Sequence, residues 1–309
     1  MSDAHSLPTV PGLAGHRSVL LTEVIALLNP QPGQCVVDCT LGAGGHSAAL
    51  LERLKPGGRL IGLDVDPEAL AIARARLTPL AEAAHVALDI VQANFRRVAA
   101  VLQELNAPPP NGILADLGVS SLQFDRPERG FSFRFDQPLD MRMDPTLPRT
   151  AADILREASE AELADILFHL GQEYRARAVA RAIVARRREE PLTTTGQLEA
   201  LVRRALRIRG HRRIHPATKT FQALRLAVNH EMDVLATFLS EAPELLAPGG
   251  TLAIMTFHSL EDRQVKQRYK ALAATGRFQL PVKFVRPGAQ ELGENPRSRS
   301  AKLRGLRRS

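Results

Sequence analysis

The chain has 309 residues, of which 44% are hydrophobic, enough to fill the core of a soluble globular protein with two domains or one large insertion. The apolar run Val19 to Leu28 is broken by Glu23 and follows no basic segment, which argues against a signal peptide or membrane span and predicts a cytoplasmic protein. The net charge is +8, and the only two cysteines, Cys35 and Cys39, are four residues apart on a predicted strand. About 13 Å of strand separates them, which excludes a disulfide between them, and no metal site is expected.

Apolar runs alternate with helical patterns through the first part of the chain and predict a parallel α/β sheet. The predicted strands are 34–39, 59–64, 86–91 and 112–117, and the predicted helices are 47–54, 67–77 and 95–105. Such sheets bind ligands at the carboxyl ends of their strands. Asp38, Asp64 and Asp116 all fall at or next to these ends.

A glycine-rich turn, Leu41-Gly42-Ala43-Gly44-Gly45-His46, follows the first strand, and Asp64 ends the second about twenty residues later. This order is typical of sheets that bind an adenosine cofactor, with the acid on the ribose hydroxyls. Asp38 precedes the glycines, where it could reach the amino acid end of S-adenosylmethionine. Phe95 could cover the adenine or simply anchor its own helix. A nicotinamide enzyme remains the alternative, although no hydride-transfer residue is evident.

The alternation stops after the fourth strand. An irregular stretch from Asp125 to Met143 reads as an ordered functional loop. Helices are predicted over 159–171, 173–188 and 194–206, and a long helix is predicted from Pro216 through Leu235. A fifth strand spans 251–257, and Ser259 with Asp262 is expected to cap the next helix. The predicted architecture is a sheet domain of residues 1–122 and 216–309, interrupted by a helical domain of residues 123–215.

The charge is concentrated in two zones. Residues 172–225 hold 14 Lys and Arg against 4 Asp and Glu, residues 295–309 hold 6 basic residues and no acid, and the remainder carries −8. Two basic zones on an acidic body suggest a polyanionic partner such as nucleic acid. The alternative is a solvated helix face and a disordered tail.

Seven longer blocks carry a resemblance to a known family. They are HRSVLLTEV (16–24), DCTLGAGGHS (38–47), GLDVDP (62–67), GILADLGVSSLQFDRPERGFSFRFDQPLDMRMDP (112–145), HPATKTFQALRLAVNHE (215–231), LAPGGTLAIMTFHSLEDRQVK (246–266) and NPRSRSAKLR (295–304). They resemble the bacterial 16S ribosomal RNA cytosine-N4 methyltransferase family, MraW/RsmH. The resemblance covers nearly the whole chain except the variable helical middle.

The resemblance implies a Rossmann-like class I methyltransferase sheet with an inserted helical domain for RNA recognition. It implies transfer of a methyl group from S-adenosylmethionine to the N4 of a cytidine in the decoding region of 16S ribosomal RNA, within the small subunit, and leaves a homodimer open. The cofactor contacts that it implies are Gly44, Gly45, His46, Asp64, Phe95, Asp116 and Gln123. The assignments of His46 and Gln123 rest on the resemblance alone.

The chemistry of this reaction suggests further residues. The cytosine N4 lone pair is delocalised into the ring, so positioning of the amine is expected to carry most of the catalysis. Asp116 is the candidate acceptor for an amine hydrogen, although it could instead bind only the cofactor. Many amino-methyltransferases have Pro-Pro and an aromatic residue after this acid, whereas this chain continues Leu117-Gly118-Val119-Ser120.

That departure leaves the base-stacking residue unidentified. Phe131, Phe133 and Phe257 are candidates, with His258 as a polar contact, and ordinary packing is the alternative for each. Arg212, Arg213 and the basic tail are expected to contact RNA phosphates. The alternatives to a methyltransferase are a non-catalytic ribosomal RNA-binding assembly factor and a nicotinamide-dependent oxidoreductase.

Overall fold

The computed structural model describes residues 18–207 and 215–309, which form two compact units. The sheet unit contains the chain up to Gly118 and then Val234–Ser309, and the helical unit is Val119–Asp233. The helical unit extends beyond the range 123–215 expected from the sequence because Phe221 and Leu224 are buried in its core.

The sheet unit contains a seven-stranded sheet in the order β3-β2-β1-β4-β5-β7-β6 in the described residues. The strands are β1 (Cys35–Asp38), β2 (Arg59–Asp64), β3 (Ala87–Gln92), β4 (Gly112–Asp116), β5 (Thr251–Thr256), β6 (Phe278–Gln279) and β7 (Lys302–Arg308). Strands β1 to β5 pair in parallel, whereas β7 runs antiparallel to both β5 and β6. The strand order reverses beside β1, and in such sheets this switch point forms the ligand crevice. The predicted Rossmann-like α/β class is confirmed.

Thirteen α-helices lie in the described ranges. They are α1 (Leu21–Leu28), α2 (Gly45–Leu54), α3 (Pro67–Ala84), α4 (Val98–Glu104), α5 (Ser121–Asp125), α6 (Ala151–Glu157), α7 (Glu160–Asp165), α8 (Ala176–Arg187), α9 (Thr195–Ala205), α10 (Thr218–Val228), α11 (Glu231–Leu245), α12 (Ser259–Ala273) and α13 (Ala289–Glu294). Among the described residues, none of these helices has the length and apolarity that a bilayer span requires.

Local chemistry explains where the helices beside the site begin. Asp66 accepts a hydrogen bond from the Glu68 N–H at 3.0 Å, and Pro67 occupies the first helical position of α3. An acidic cap followed by proline is a strong start signal for a helix.

Strand β1 is buried along its whole length, as expected for a central parallel strand.

The predicted long helix from Pro216 to Leu235 is wrong, because the chain forms α10 and α11 with a break between them. Asn229 donates from its side chain to the Met141 carbonyl at 2.7 Å and to the Arg225 carbonyl at 2.9 Å. His230 then adopts a φ of 50°, the left-handed conformation, which ends a helix. The side-chain bonds of Asn229 hold the chain in this turn.

The basic C-terminal segment is folded, which corrects the disordered-tail alternative, whereas the expected contact of this tail with RNA stays a prediction. Lys302 and Arg304 bind the Asp262 carboxylate at 2.7 and 2.8 Å. Arg308 donates to the Leu246 carbonyl at 2.7 Å. Much of the positive charge of β7 is therefore used inside the sheet unit.

Candidate functional site

Three acids mark one edge of the sheet, because β2 and β4 flank β1 and all three strands run parallel. Asp38 ends β1 and is buried. Its carboxylate accepts hydrogen bonds from the Ser47 hydroxyl at 2.7 Å and from the Thr40 N–H at 3.2 Å. Burial raises the pKa of Asp38 to about 6 despite these bonds.

Asp64, the predicted ribose acid, is bound to the glycine turn. Its carboxylate oxygens accept from the N–H groups of Gly42 at 2.7 Å and Asp66 at 2.9 Å. Burial, followed by the charges of Asp66 and Asp38, raises the pKa of Asp64 to about 6. Each carboxylate oxygen retains acceptor capacity, so the side chain can also accept hydrogen bonds from hydroxyl groups.

Asp116 ends β4 on the other side of β1. Its backbone N–H donates to the Thr40 hydroxyl at 2.7 Å, and its Oδ1 atom is buried without a hydrogen-bond partner in the described residues. Burial, with the nearby carboxylates of Asp38 and Glu261, raises the pKa of Asp116 well above its ordinary value of 3.8. A buried acceptor with no partner is costly, and functional sites are where such groups are retained.

His46 lies beside Asp116. Its Nε2 is 3.0 Å from the Val19 carbonyl oxygen, and its Nδ1 is 3.9 Å from Asp116 Oδ2. Because the Val19 carbonyl can only accept, Nε2 carries the hydrogen and Nδ1 is left as an acceptor in the neutral ring. Burial lowers the pKa of His46, which favours this neutral form.

The glycines of the turn are required for packing as well as for any approach of a ligand. Gly44 has a φ of 76°, and a Cβ there would lie 2.9 Å from the Leu77 side chain. A Cβ on Gly45 would lie 2.1 Å from the Ser18 hydroxyl. A side chain at either position would therefore force a neighbouring side chain to move even before a cofactor is considered.

The aromatic candidates of the sheet unit lie at two strand ends. Phe95 follows β3, and its ring packs edge-on against Phe238 with centroids 5.2 Å apart. Phe257 follows β5 and is partly buried against the sheet unit's core. Packing accounts for the observed contacts of both rings, and their proposed ligand contacts stay predictions.

The helix after β5 begins one residue earlier than predicted. His258, rather than Ser259, caps α12, and Glu261, rather than Asp262, is the reciprocal partner. The buried Glu261 carboxylate accepts from the N–H groups of Phe257 at 2.8 Å and His258 at 3.2 Å. Sequence reasoning missed Glu261, although its three-residue spacing from His258 could have identified it. The predicted capping role of Asp262 is wrong because Asp262 instead binds Lys302 and Arg304, which lie about forty residues away in β7.

The remaining predicted residues belong to the helical unit or lie outside the described residues. Gln123 is buried and completes the capping box of α5 with Ser120. Phe131 is buried in the helical core, and Phe133 packs against the rings of His215 and Phe221 at 4.7 and 4.9 Å. Arg212 and Arg213 lie outside the described residues.

The three strand-end acids give this edge of the sheet unit its chemical character. Burial raises the pKa of all three carboxyl groups, and Asp38 raises those of Asp64 and Asp116 further, so a nearby cation would stabilise their charged forms. A ligand with a positive centre and ribose hydroxyls would satisfy both Asp38 and Asp64. An anionic pyrophosphate at the same edge would be repelled by these carboxylates.

Comparison with known proteins gives an independent result. The family model of the MraW methylase family matches residues 13–309. The chain is 46% identical to the ribosomal RNA small subunit methyltransferase H of Thermomicrobium roseum, over 95% of this chain and 93% of that protein. It is 47% identical to the protein of the same name from Sorangium cellulosum, over 98% of this chain and 95% of that protein.

Proposed function

The chain belongs to the MraW methylase family, and from this premise we propose that it methylates the exocyclic N4 of a cytidine in the decoding region of 16S ribosomal RNA. The observation in the structure that best supports this proposal is the set of strand-end acids around the glycine turn. Asp38, Asp64 and Asp116 form a cation-attracting edge at the switch point of the sheet.

This edge suits S-adenosylmethionine, which supplies an electrophilic methyl group on a positively charged sulfur. Asp64 would hold the ribose hydroxyls while remaining bound to Gly42, and Asp38 would face the ammonium group of the methionine moiety. The neutral His46 is buried beside Asp116 and adds no competing positive charge. Gly44, Gly45, Phe95 and Gln123 remain proposed cofactor contacts.

Asp116 is the proposed catalytic residue. Its buried Oδ1 atom has no partner in the described residues and can accept a hydrogen bond from the cytosine amine. This bond would strengthen as the nitrogen attacks the methyl carbon, because the amine hydrogens become more acidic. A positive charge bound at the edge would lower the pKa of Asp116 and favour the accepting carboxylate.

The proposed substrate is ribosomal RNA of the small subunit, and RNA phosphates are the proposed partners of the arginines in the helical unit. Replacing Arg212 and Arg213 is expected to weaken RNA binding and its salt dependence without changing cofactor binding. Phe131, Phe133, Phe257 and His258 are the proposed base contacts, and a homodimer stays a prediction.

The decisive experiment incubates the protein with labelled S-adenosylmethionine and unmodified small ribosomal subunits. The RNA is then digested, and mass spectrometry identifies the labelled nucleoside. We expect N4-methylcytidine in the wild type and at least a hundredfold slower labelling in the Asp116→Asn variant, on the scale of a lost oxyanion-type contact. Label on a carbon, a ribose or an adenine would contradict the N4 assignment.

This experiment, together with calorimetry, separates the two alternatives. A non-catalytic assembly factor would bind the small subunit without transferring label. A nicotinamide-dependent oxidoreductase would bind the dinucleotide in calorimetry and not S-adenosylmethionine, a result that the acids around the glycine turn disfavour.

A further inference from the structure

An exposed tyrosine stands out in the helical unit. Tyr174 lies in the loop between a π-helical turn, Ile166–Leu170, and helix α8, and its side chain is 87% exposed. The other tyrosine of the chain, Tyr269, is only 2% exposed and donates its hydroxyl hydrogen to the Leu252 carbonyl. Neither the proposed methyl transfer nor the helical core uses the Tyr174 ring.

The backbone on both sides of Tyr174 is fixed. The buried Glu173 donates its N–H to the Leu167 carbonyl at 3.1 Å, and its carboxylate accepts from the Arg175 N–H at 2.9 Å. The Arg175 guanidinium donates to the Leu206 carbonyl at 2.6 Å. An aromatic ring that is exposed on a rigid backbone loses little conformational freedom when a ligand binds.

One cation lies over this ring, and a second is close to it in the sequence. The Lys219 ammonium lies over it, 5.3 Å from the ring centroid, and is held there by a 2.8 Å hydrogen bond to the Gln172 carbonyl. Arg177, in the first turn of α8, is exposed and makes no ion pair or hydrogen bond among the described residues. Phe168, on the π-helical turn, is 48% exposed. An aromatic face with flanking cations is the arrangement that binds single-stranded nucleic acid.

We propose that Tyr174 is a stacking platform for an unpaired base of the RNA substrate, with Lys219 and Arg177 binding the adjacent phosphates. This inference rests on the proposed function, since it names the form of RNA that the helical unit binds. The strongly basic composition of residues 172–225 favours RNA over an apolar protein partner. A stacked base would anchor a single-stranded segment without reading its sequence.

The tyrosine content of the chain allows a direct test. The protein has no tryptophan and only two tyrosines, so tyrosine fluorescence that iodide can quench in the free protein reports Tyr174. The probe is a mixed-sequence, single-stranded RNA 12-mer, compared with an abasic 12-mer that keeps the phosphates but lacks the bases. We expect the 12-mer to quench the accessible fluorescence and the bound abasic strand not to quench it, because only a base can stack on the ring.

Variants separate stacking from charge. Tyr174→Phe should bind the 12-mer within about twofold of wild type, whereas Tyr174→Leu should bind it roughly 5- to 150-fold more weakly. Lys219→Met should weaken the binding of the 12-mer and the abasic strand alike and reduce the salt dependence. Because Tyr174 is exposed, unchanged thermal unfolding should confirm that Tyr174→Leu is folded.

Equal affinity of wild type and Tyr174→Leu for the 12-mer would overturn the platform. Loss of binding to small subunits without loss of binding to the 12-mer would also overturn it, because it would indicate a ribosomal protein as the partner. Methyl transfer by the wild type is measured in parallel. If the wild type transfers no methyl group, the proposed function is refuted. If the wild type is active and Tyr174→Leu binds the 12-mer as tightly as the wild type does, only the stacking platform is refuted.

Discussion

Burial of the charged Asp38 carboxylate is expected to reduce the stability of the fold, and this expectation can be tested directly. The side chain is only 1% exposed, and its pKa is raised from 3.8 to about 6. The folded state therefore keeps a proton that the unfolded state releases, and stability is lost as the pH rises from 3.8 through 6. The difference between the two pKa values corresponds to about 3 kcal/mol at pH 8.

Asp38→Asn should remove this dependence. The amide keeps the shape of the carboxylate but makes a poorer partner for the Ser47 hydroxyl, a cost of about 1 kcal/mol. We therefore expect the variant to be more stable than wild type by about 2 kcal/mol at pH 8, and to be no more stable than wild type at pH 4. Urea unfolding followed by circular dichroism at several pH values measures the difference.

The control for this comparison is Asp165→Asn, which makes the same chemical change on the exposed surface of α7. If the difference in unfolding free energy between wild type and Asp38→Asn is flat from pH 4 to pH 8, the reasoning is refuted. A variant that is less stable than wild type at every pH would mean that the Ser47 and Thr40 hydrogen bonds outweigh the burial of the charge.

Three further predictions concern the glycine turn and the charges around the sheet. Gly44→Ala should cost more unfolding free energy than Gly33→Ala, by at least about 1 kcal/mol in urea unfolding, because both have a φ of 76° but only the Cβ at Gly44 meets a neighbour. The affinity for S-adenosylmethionine should fall as the pH drops through about 6, where Asp64 is protonated, and calorimetry should find a weaker pH dependence in Asp64→Asn. Asp262→Ala should cost about 3 kcal/mol because it leaves the buried Arg304 without its carboxylate, and an equally stable variant would contradict that role.

The sequence allowed the fold to be predicted where local pattern and tertiary structure agree. The parallel strands were recognisable because buried strands are continuous apolar runs, and the glycine turn fixed the position of Asp64. The break between α10 and α11 was missed because Asn229 bonds to Met141, which is distant in the sequence. The cap of α12 was misplaced by one residue because serine is a much commoner capping residue than histidine.

The site could be predicted as a set of residues but not as a set of contacts. Asp116 was identified from its place at a strand end, whereas the unpartnered state of its Oδ1 depends on the local geometry. Gly44 and Gly45 were assigned to ligand approach, yet their nearest constraints are Leu77 and Ser18. A pattern in the sequence shows which residue type is present and does not show which neighbour requires it.

The net charge of the chain does not show where each charge acts in the structure. The distribution of charge over the two units connects the proposed methyl transfer with the proposed Tyr174 platform. The value of +8 for the chain combines a strongly basic stretch in the helical unit with an acidic remainder. In the sheet unit, Asp262 pairs with Lys302 and Arg304 of β7, while the strand-end acids create a local preference for cations. In the helical unit, Lys219 and Arg177 leave positive charge beside an exposed aromatic ring. The sheet unit thus attracts cations, and the helical unit attracts anions. This distribution of charge suits a chain that binds both a cationic methyl donor and a polyanionic acceptor.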